Sequence, residues 1–344
     1  ILKMRGVVNV YSRKYKAFTT GKTNNNTNEE RLFVCVVKDP LWVTAKKTFT
    51  KSPLNYTGGK TKLLPQISEL FPKKINTFVD LFCGGGNVGV NILSKRTIYN
   101  DLNKDVVRLL DFFKNNSFET IDNQISKIIT DYSLSDSEAY GYEYYGCNSS
   151  DGLRKYNKAA FQKLRKDFND SNRDNLAMLF TLIIYGFNNQ IRFNNKGEYN
   201  LPVGKRDYNR SIKNNLASFC RDLASQDSVI LNTDFRNFDI STLNGNDMIY
   251  CDPPYLITTA TYNEKDGWNT NDEKDLLDFL TRVDKQGIKF ALSNVLEHKG
   301  QRNKLLDNWA KQYKVHNLNF SYNNSNYHSA ASSHKTQEVL ITNY

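Results

Sequence analysis

Histidine and cysteine are scarce in this chain of 344 residues, with four of the first and five of the second. The cysteines, at 35, 83, 147, 220 and 251, form no Cys-x-x-Cys pair and have no histidine cluster beside them. A zinc site is therefore not expected, and the thiols read as buried groups of a reducing compartment, the cytoplasm. No apolar run approaches the length of a membrane span, and no signal-peptide pattern opens the chain. A membrane partner is not expected either. The first residue is Ile1, so we expect a native N-terminus upstream of it. Prolines number only seven, yet two of them, Pro253 and Pro254, stand in succession.

Other residues are plentiful. Hydrophobic residues make up 39% and aromatics 12%, which suits a globular chain with an ample core. Lys and Arg outnumber Asp and Glu, 47 to 36, for a net charge of +11. Such a balance implies an anionic partner, most simply nucleic acid.

Along the chain, residues 1–50 hold two β-like runs, "GVVNVY" and "RLFVCVV", around a polar loop, and form an N-terminal extension without a readable role. In "INTFVDLFCGGGNVGVNILSKRTIYNDLN", the spacing predicts a strand over "TFVDLF", a tight glycine turn, a helix over "VGVNILSK" and a second strand at "TIYN". That is the βαβ opening of an α/β sheet. Residues 105–222 carry basic, mostly helical patterns. They end in "IRFNNKGEYNLPVGKR", which reads as a β-hairpin around Lys196-Gly197. Strand patterns then return in "SVILNTDF", "DMIYCD", "IKFALSN", "YKVHNLNF" and "EVLITNY". The layout predicts an α/β domain over 51–104 and 223–344, interrupted by a helical insert over 105–222.

The turn "GGGNVG" sets Gly84, Gly86 and Gly89 in G-x-G-x-x-G spacing, a weak signal for a dinucleotide. Asp80 lies four residues before Gly84, where it would repel a pyrophosphate but suit a cationic amine. Asp101 comes only 12 residues after Gly89, short of the spacing usual for a dinucleotide ribose. "TGGKT" is no P-loop, because Leu54 occupies the position of the required first glycine. A ligand with a ribose and a charged amino acid but no phosphate fits better. S-adenosylmethionine is such a molecule, with Asp101 for its ribose and Asp80 for its amine. Helix capping and loop solvation compete for either carboxylate alone; the pair around one glycine turn favours the ligand.

"DMIYCDPPYL" raises a different question: why an apolar strand should run straight into a carboxylate, two prolines and a tyrosine. Each proline lacks an N–H and fixes φ, so the chain must leave the sheet in a stiff turn. Stiffness fixes geometry before a substrate arrives. An exocyclic amine on a base is a poor nucleophile, since its lone pair is delocalised into the ring. Two acceptors aimed at its hydrogens, the Asp252 carboxylate and the Pro253 carbonyl, would localise that pair. Tyr255 can stack on the base, a contact worth about 1–3 kcal/mol. Within a duplex the base would have to be flipped out.

At this point the residues resemble a known family. "NYTGGKTKLLPQI", "FVDLFCGGGNVG", "YNDLN", "YGFNNQIRFNNKGEYNLPVGKR" and "DMIYCDPPY", in that order, look like the Dam-type (D12 class) DNA adenine N6-methyltransferases. The likeness runs from about Pro53 to Tyr344. It implies a Rossmann-like S-adenosylmethionine-dependent methyltransferase sheet acting on double-stranded DNA, with the insert as target-recognition domain. Tyr56 and Lys60 would line the donor pocket, and Asp80, Phe82, Gly84 and Gly86 would form its floor. Asp101 would bind the ribose, and Asp234 with Phe235 the donor adenine. Asp252, Pro253, Pro254 and Tyr255 would be the catalytic turn. In the hairpin, Arg192 is the candidate for a base contact and Lys205 and Arg206 for phosphate. Asn188, Gln190, Asn194 and Asn200 complete the DNA-facing set, with turn formation as a competing role for Asn194 and Asn200. Asn189 and Gln190 depart from the small or apolar residues of GATC-specific relatives, which counts against a GATC target.

The expected function is site-specific adenine N6 methylation by a monomer or weak dimer. The likeness also leaves room for a cognate restriction endonuclease as partner. The competing readings are an RNA or exocyclic-cytosine amino-methyltransferase and a catalytically silent DNA-binding specificity subunit.

Overall fold

The computed structural model describes residues 49–56, 58–258, 267–319 and 336–344. Both β-like runs of the N-terminal extension lie outside that set. Eight strands are described: β1 (Thr77–Asp80), β2 (Arg96–Asn100), β3 (Ser228–Leu231), β4 (Met248–Cys251), β5 (Lys289–His298), β6 (Gln301–Arg302), β7 (Lys314–Asn317) and β8 (Gln337–Thr342). They form one sheet in the order β3-β2-β1-β4-β5-β8-β7, with β6 paired to β5. Strands β1 to β5 are parallel, and β8 runs antiparallel between β5 and β7. This is the Rossmann-like sheet expected from the sequence. The chain winds one way from β1 to β2 and β3 and the other way from β4 to β5. The crevice outside the carboxyl ends of β1 and β4 is thus the switch point where such sheets hold ligands.

Alternation along the strands assigns the two faces. Val79, Ile249, Cys251, Leu292 and Val339 point to one side, into a core closed by α8 (Thr270–Lys285) and α9 (Lys304–Ala310). Phe78, Met248, Tyr250, Ala291 and Leu340 point to the other, against α1 (Leu64–Leu70). Asn269 and Asp272 start α8 with a capping box, which satisfies its first N–H groups.

Between β2 and β3 lie α2 (Lys104–Asn115), α3 (Phe118–Tyr132), α4 (Ser137–Tyr144), α5 (Arg154–Asp170), α6 (Leu176–Tyr185) and α7 (Arg210–Ala224). The insert is mainly helical, as its 3.6-residue periodicity predicts. It has no separate core: Tyr99 of β2, Leu110 of α2, Phe180 of α6 and Phe219 of α7 belong to one buried cluster.

Two local expectations are corrected. The helix expected over "VGVNILSK" is a single 3-10 turn, Gly89–Asn91. The Asp80 carboxylate takes the Gly89 N–H, the Asn91 side chain turns to the Asn87 and Thr50 backbones, and the chain is extended again at Ile92. Local side-chain bonds of this kind compete with a helix. The expected hairpin is reduced to two isolated bridges, Gly186↔Val203 and Phe193↔Tyr199. The reversal at Lys196-Gly197 does form, with Asn194 N–H donating to the Glu198 carbonyl and Gly197 at φ +69°. Scattered backbone bonds, such as Asn200 N–H to the Arg192 carbonyl, and side chains hold the two arms in place of a continuous ladder.

Candidate active site

A cleft enclosing about 390 Å³, its open mouth included, is lined by Tyr56, Gly58, Lys60, Asp80, Phe82, Gly84 and Asp252 among others. It lies at the switch point because β1 ends at Asp80 and β4 ends one residue before Asp252, with Asp80 paired to Tyr250. Continuing the alternation of β4, Asp252 falls on the α1 side, the side of Asp80.

Gly84 and Gly86 adopt positive φ, +47° and +75°. Their freedom serves packing within the protein. A Cβ on Gly84 would stand 2.7 Å from Tyr56 Cδ1, so the tyrosine ring lies directly on the turn. A Cβ on Gly86 would press on Leu110 and Phe219 at 3.3 Å, and Gly86 does not line the cleft.

Asp80 is 1% exposed. Burial pushes its pKa up to about 7, the Gly89 N–H partly offsets this, and Asp252 and Asp101 push it further up. Asp101 stands at the end of β2, where its two oxygens accept the N–H groups of Gly84 and Asn103, both at 2.8 Å. Burial raises its pKa as well, against those two bonds. Two buried carboxylates thus bracket the glycine turn as acceptors that suit hydroxyls and a cationic amine and oppose a phosphate; Asp80 lines the cleft and Asp101 lies outside its lining. Burial also holds the Cys83 and Cys251 thiols well above their usual range, which disfavours the thiolate form.

At the other end of the cleft, Phe82 touches Phe235 (ring centroids 5.5 Å apart) and Trp268 (5.9 Å). Phe235 is buried behind Phe82, outside the cleft lining. Asp234, expected beside a donor adenine, is paired with Arg236 at 3.2 Å; that arginine also binds Asp272 and Asp275 and lies over the Phe235 ring. Arg236 and Trp268 were not singled out in the sequence, where neither has a motif.

The Asp-Pro-Pro-Tyr turn is more crowded than its sequence suggests. Asp252 Oδ1 accepts from Lys60 Nζ at 2.9 Å and from the Tyr255 hydroxyl at 2.9 Å. Lys60, assigned above to the donor pocket alone, sets its ammonium on the carboxylate and 5.0 Å from the Tyr255 ring centre. Glu338 of β8 completes the group, with Lys60 Nζ at 3.6 Å and the Tyr255 hydroxyl at 3.4 Å. Burial raises the Asp252 pKa, and Lys60 opposes the rise. Glu338 was missed; its one signal in the sequence is a charge inside the apolar run "EVLIT". Pro253 is buried and Pro254 exposed, and neither can donate to the ladder.

Three of the residues expected to face DNA, Asn188, Lys205 and Arg206, line a second open cleft with Arg154, Gly186, Phe187 and Asn189, whereas Gln190, Arg192, Asn194 and Asn200 lie outside its lining. Lys205 Nζ donates to the Ser150 carbonyl, and Arg206 to Tyr142 Oη and the Ser149 carbonyl. Arg192 is held by Asn200, whose side-chain oxygen accepts from Nε at 2.8 Å. Asn194 accepts from the Lys196 and Glu198 N–H groups and so builds the turn. Gln190 offers its carbonyl to the Tyr199 hydroxyl. Asn188, at φ +55°, accepts from Asn55 Nδ2 at 2.8 Å, which ties this region to the segment carrying Tyr56.

Comparison with known proteins agrees with this geometry. The chain is 43% identical over 304 residues to type II methyltransferase M.FokI of Planomicrobium okeanokoites, covering 86% of this chain and 43% of that protein. It is 38% identical over 360 residues to modification methylase StsI of Streptococcus sanguinis, covering 98% and 52%. Modification methylase LlaI of Lactococcus lactis subsp. lactis is 30% identical over 344 residues, covering 98% and 50%. The chain therefore spans about half the length of these curated relatives. The model of the D12 class N6 adenine-specific DNA methyltransferases matches residues 56–324, from the tyrosine on the glycine turn through the insert and past the Asp-Pro-Pro-Tyr turn, and the chain belongs to that family.

Proposed function

We propose that this chain transfers a methyl group from S-adenosylmethionine to the N6 amine of an adenine flipped out of duplex DNA at a specific site. The observation that carries the reading is the meeting of Asp80 and Asp252 in one cleft, a carboxylate for a cationic donor beside a stiff turn for an amine. S-adenosylmethionine supplies an electrophilic methyl group. Asp80 holds the donor's amine, Asp101 its ribose, and Tyr56 covers it from the glycine turn; Phe82 leads toward Phe235 and Asp234, the proposed adenine end. Asp252 and the Pro253 carbonyl accept the two amine hydrogens, which localises the nitrogen lone pair toward the donor. Pro254 keeps that carbonyl clear of a ladder, and Tyr255 faces the base. Preorganised acceptors of this kind contribute most where water is excluded.

The insert is the proposed DNA reader, with Arg192 at a base edge and Lys205 and Arg206 on phosphate. Relatives named as type II and modification methylases favour a restriction-modification setting. No helix among the described residues is long and apolar enough to cross a membrane. The test uses labelled S-adenosylmethionine and a mixed-sequence plasmid, followed by sequencing that reports N6-methyladenine in context. Marks in one short motif are expected, and Asp252→Ala should reduce them by about 10²–10³-fold or more with donor binding kept. Donor binding without transfer to any duplex adenine would overturn the reading.

A further inference from the structure

We propose that Glu338 is a positioning residue for the catalytic turn: when the target amine docks on Asp252, Glu338 takes over the Tyr255 hydroxyl and shares the Lys60 ammonium. The inference rests on the methyl-transfer reading above. Asp252 Oδ1 already accepts two donors, at 2.9 Å each, and a carboxylate oxygen has about two lone-pair sites. An amine hydrogen that docks at Oδ1, rather than at Oδ2, displaces one of them. A displaced hydroxyl left inside the protein without an acceptor is unfavourable. Glu338 Oε1 stands ready, 3.4 Å from the Tyr255 oxygen and 3.6 Å from Lys60 Nζ. Its side chain is 11% exposed, against 5% for Lys60 and 17% for Asp252, so water offers little competition.

The strand is built to present it. Glu338 pairs with Val295, and the register shifts between Val295 and Glu297, immediately beyond that pair. Bulges re-aim side chains beside active sites. On β8, Glu338 shares a face with Leu340, which packs in the α1-side core, and Lys60 opens the 3-10 turn, Lys60–Lys62, that leads into α1. The two carboxylates share the Lys60 ammonium, which the Gly58 carbonyl also holds at 3.0 Å. Releasing Tyr255 from Asp252 frees its ring for the base.

The test is single-turnover methyl transfer on a duplex carrying the motif found by the plasmid assay. Glu338→Ala should slow transfer about tenfold or more, with donor affinity, duplex affinity and unfolding temperature unchanged. Glu338→Gln, which keeps an acceptor oxygen for the hydroxyl, should stay within about threefold of the unaltered protein. In the Tyr255→Phe background there is no hydroxyl to rehouse, so Glu338→Ala should do less harm than it does alone. Should Glu338→Ala not fold, Glu338→Asp, which withdraws the carboxylate by one methylene, takes its place in both comparisons. An unchanged rate, fully additive effects with Tyr255→Phe, or a parallel loss of donor binding would overturn the proposal. If the unaltered protein methylates no duplex adenine, the underlying reading fails; transfer that is indifferent to residue 338 sinks only the inference.

Discussion

Asp80 is a buried carboxyl whose pKa stands near 7, against an unperturbed 3.8. Such a group favours the native state most when neutral. Its stabilising effect is complete below pH 3.8 and is lost as pH rises through about 7. Asp80→Asn is neutral throughout. Thermal unfolding from pH 4 to 8 should therefore show the native sequence losing ground to Asp80→Asn as pH rises, with the gap opening up to about pH 7. A gap that does not change with pH would mean that Asp80 is already ionised at low pH. The residue was legible in the sequence because its spacing from the glycines is local. Its titration was not, because burial and the nearness of Asp252 come from a strand far along the chain.

At the scale of elements, the glycine segment explains why one helix failed to form. Gly89 sits under Tyr99, whose hydroxyl donates to Gln226 at 2.6 Å. A Cβ on Gly89 would come within 2.4 Å of that ring. Gly89→Ala should lower stability by about 1–3 kcal/mol, the usual range for overpacking, seen as a lower denaturant midpoint with an unchanged slope. The recognition segment makes a second prediction. Asn200 presents the Arg192 guanidinium, so Arg192→Ala should relax discrimination at one base pair by about 1–3 kcal/mol. Asn200→Ala should relax the same position by less. Methylation rates on duplexes varied one base pair at a time would show it, and relaxation at several positions would argue against a base contact by Arg192. The reversal at Lys196-Gly197 was legible from turn residues. The reduction of its arms to two bridges was not, because Asn200, Asn194 and Asn169 spend their side chains on the arms' polar groups.

Across the whole molecule, a net charge of +11 predicts that the proposed binding to DNA weakens steeply as salt rises. Lys205 is exposed beside the second cleft and reads no base in the proposed arrangement. Lys205→Ala should weaken binding alike for all duplex sequences and flatten the slope of log affinity against log salt by about one. A change of sequence preference instead would move Lys205 to the base-reading set. The insert's core is continuous with β2 and the glycine turn, which would give the proposed recognition and catalysis a shared frame, and the Asn55 side chain bonds the Asn188 carbonyl.

The sequence by itself determined most of the strand and helix periods, the glycine turn and the stiff Asp-Pro-Pro-Tyr exit. All of these are written in spacings of a few residues, within reach of sterics and local hydrogen bonds. Only the tertiary structure decided that Lys60 and Glu338 meet at Asp252 and that Tyr56 fills the space above Gly84. Those contacts join segments brought together by parallel pairing at the switch point and by an antiparallel last strand with a bulge. No local pattern records which side chains a sheet will place side by side.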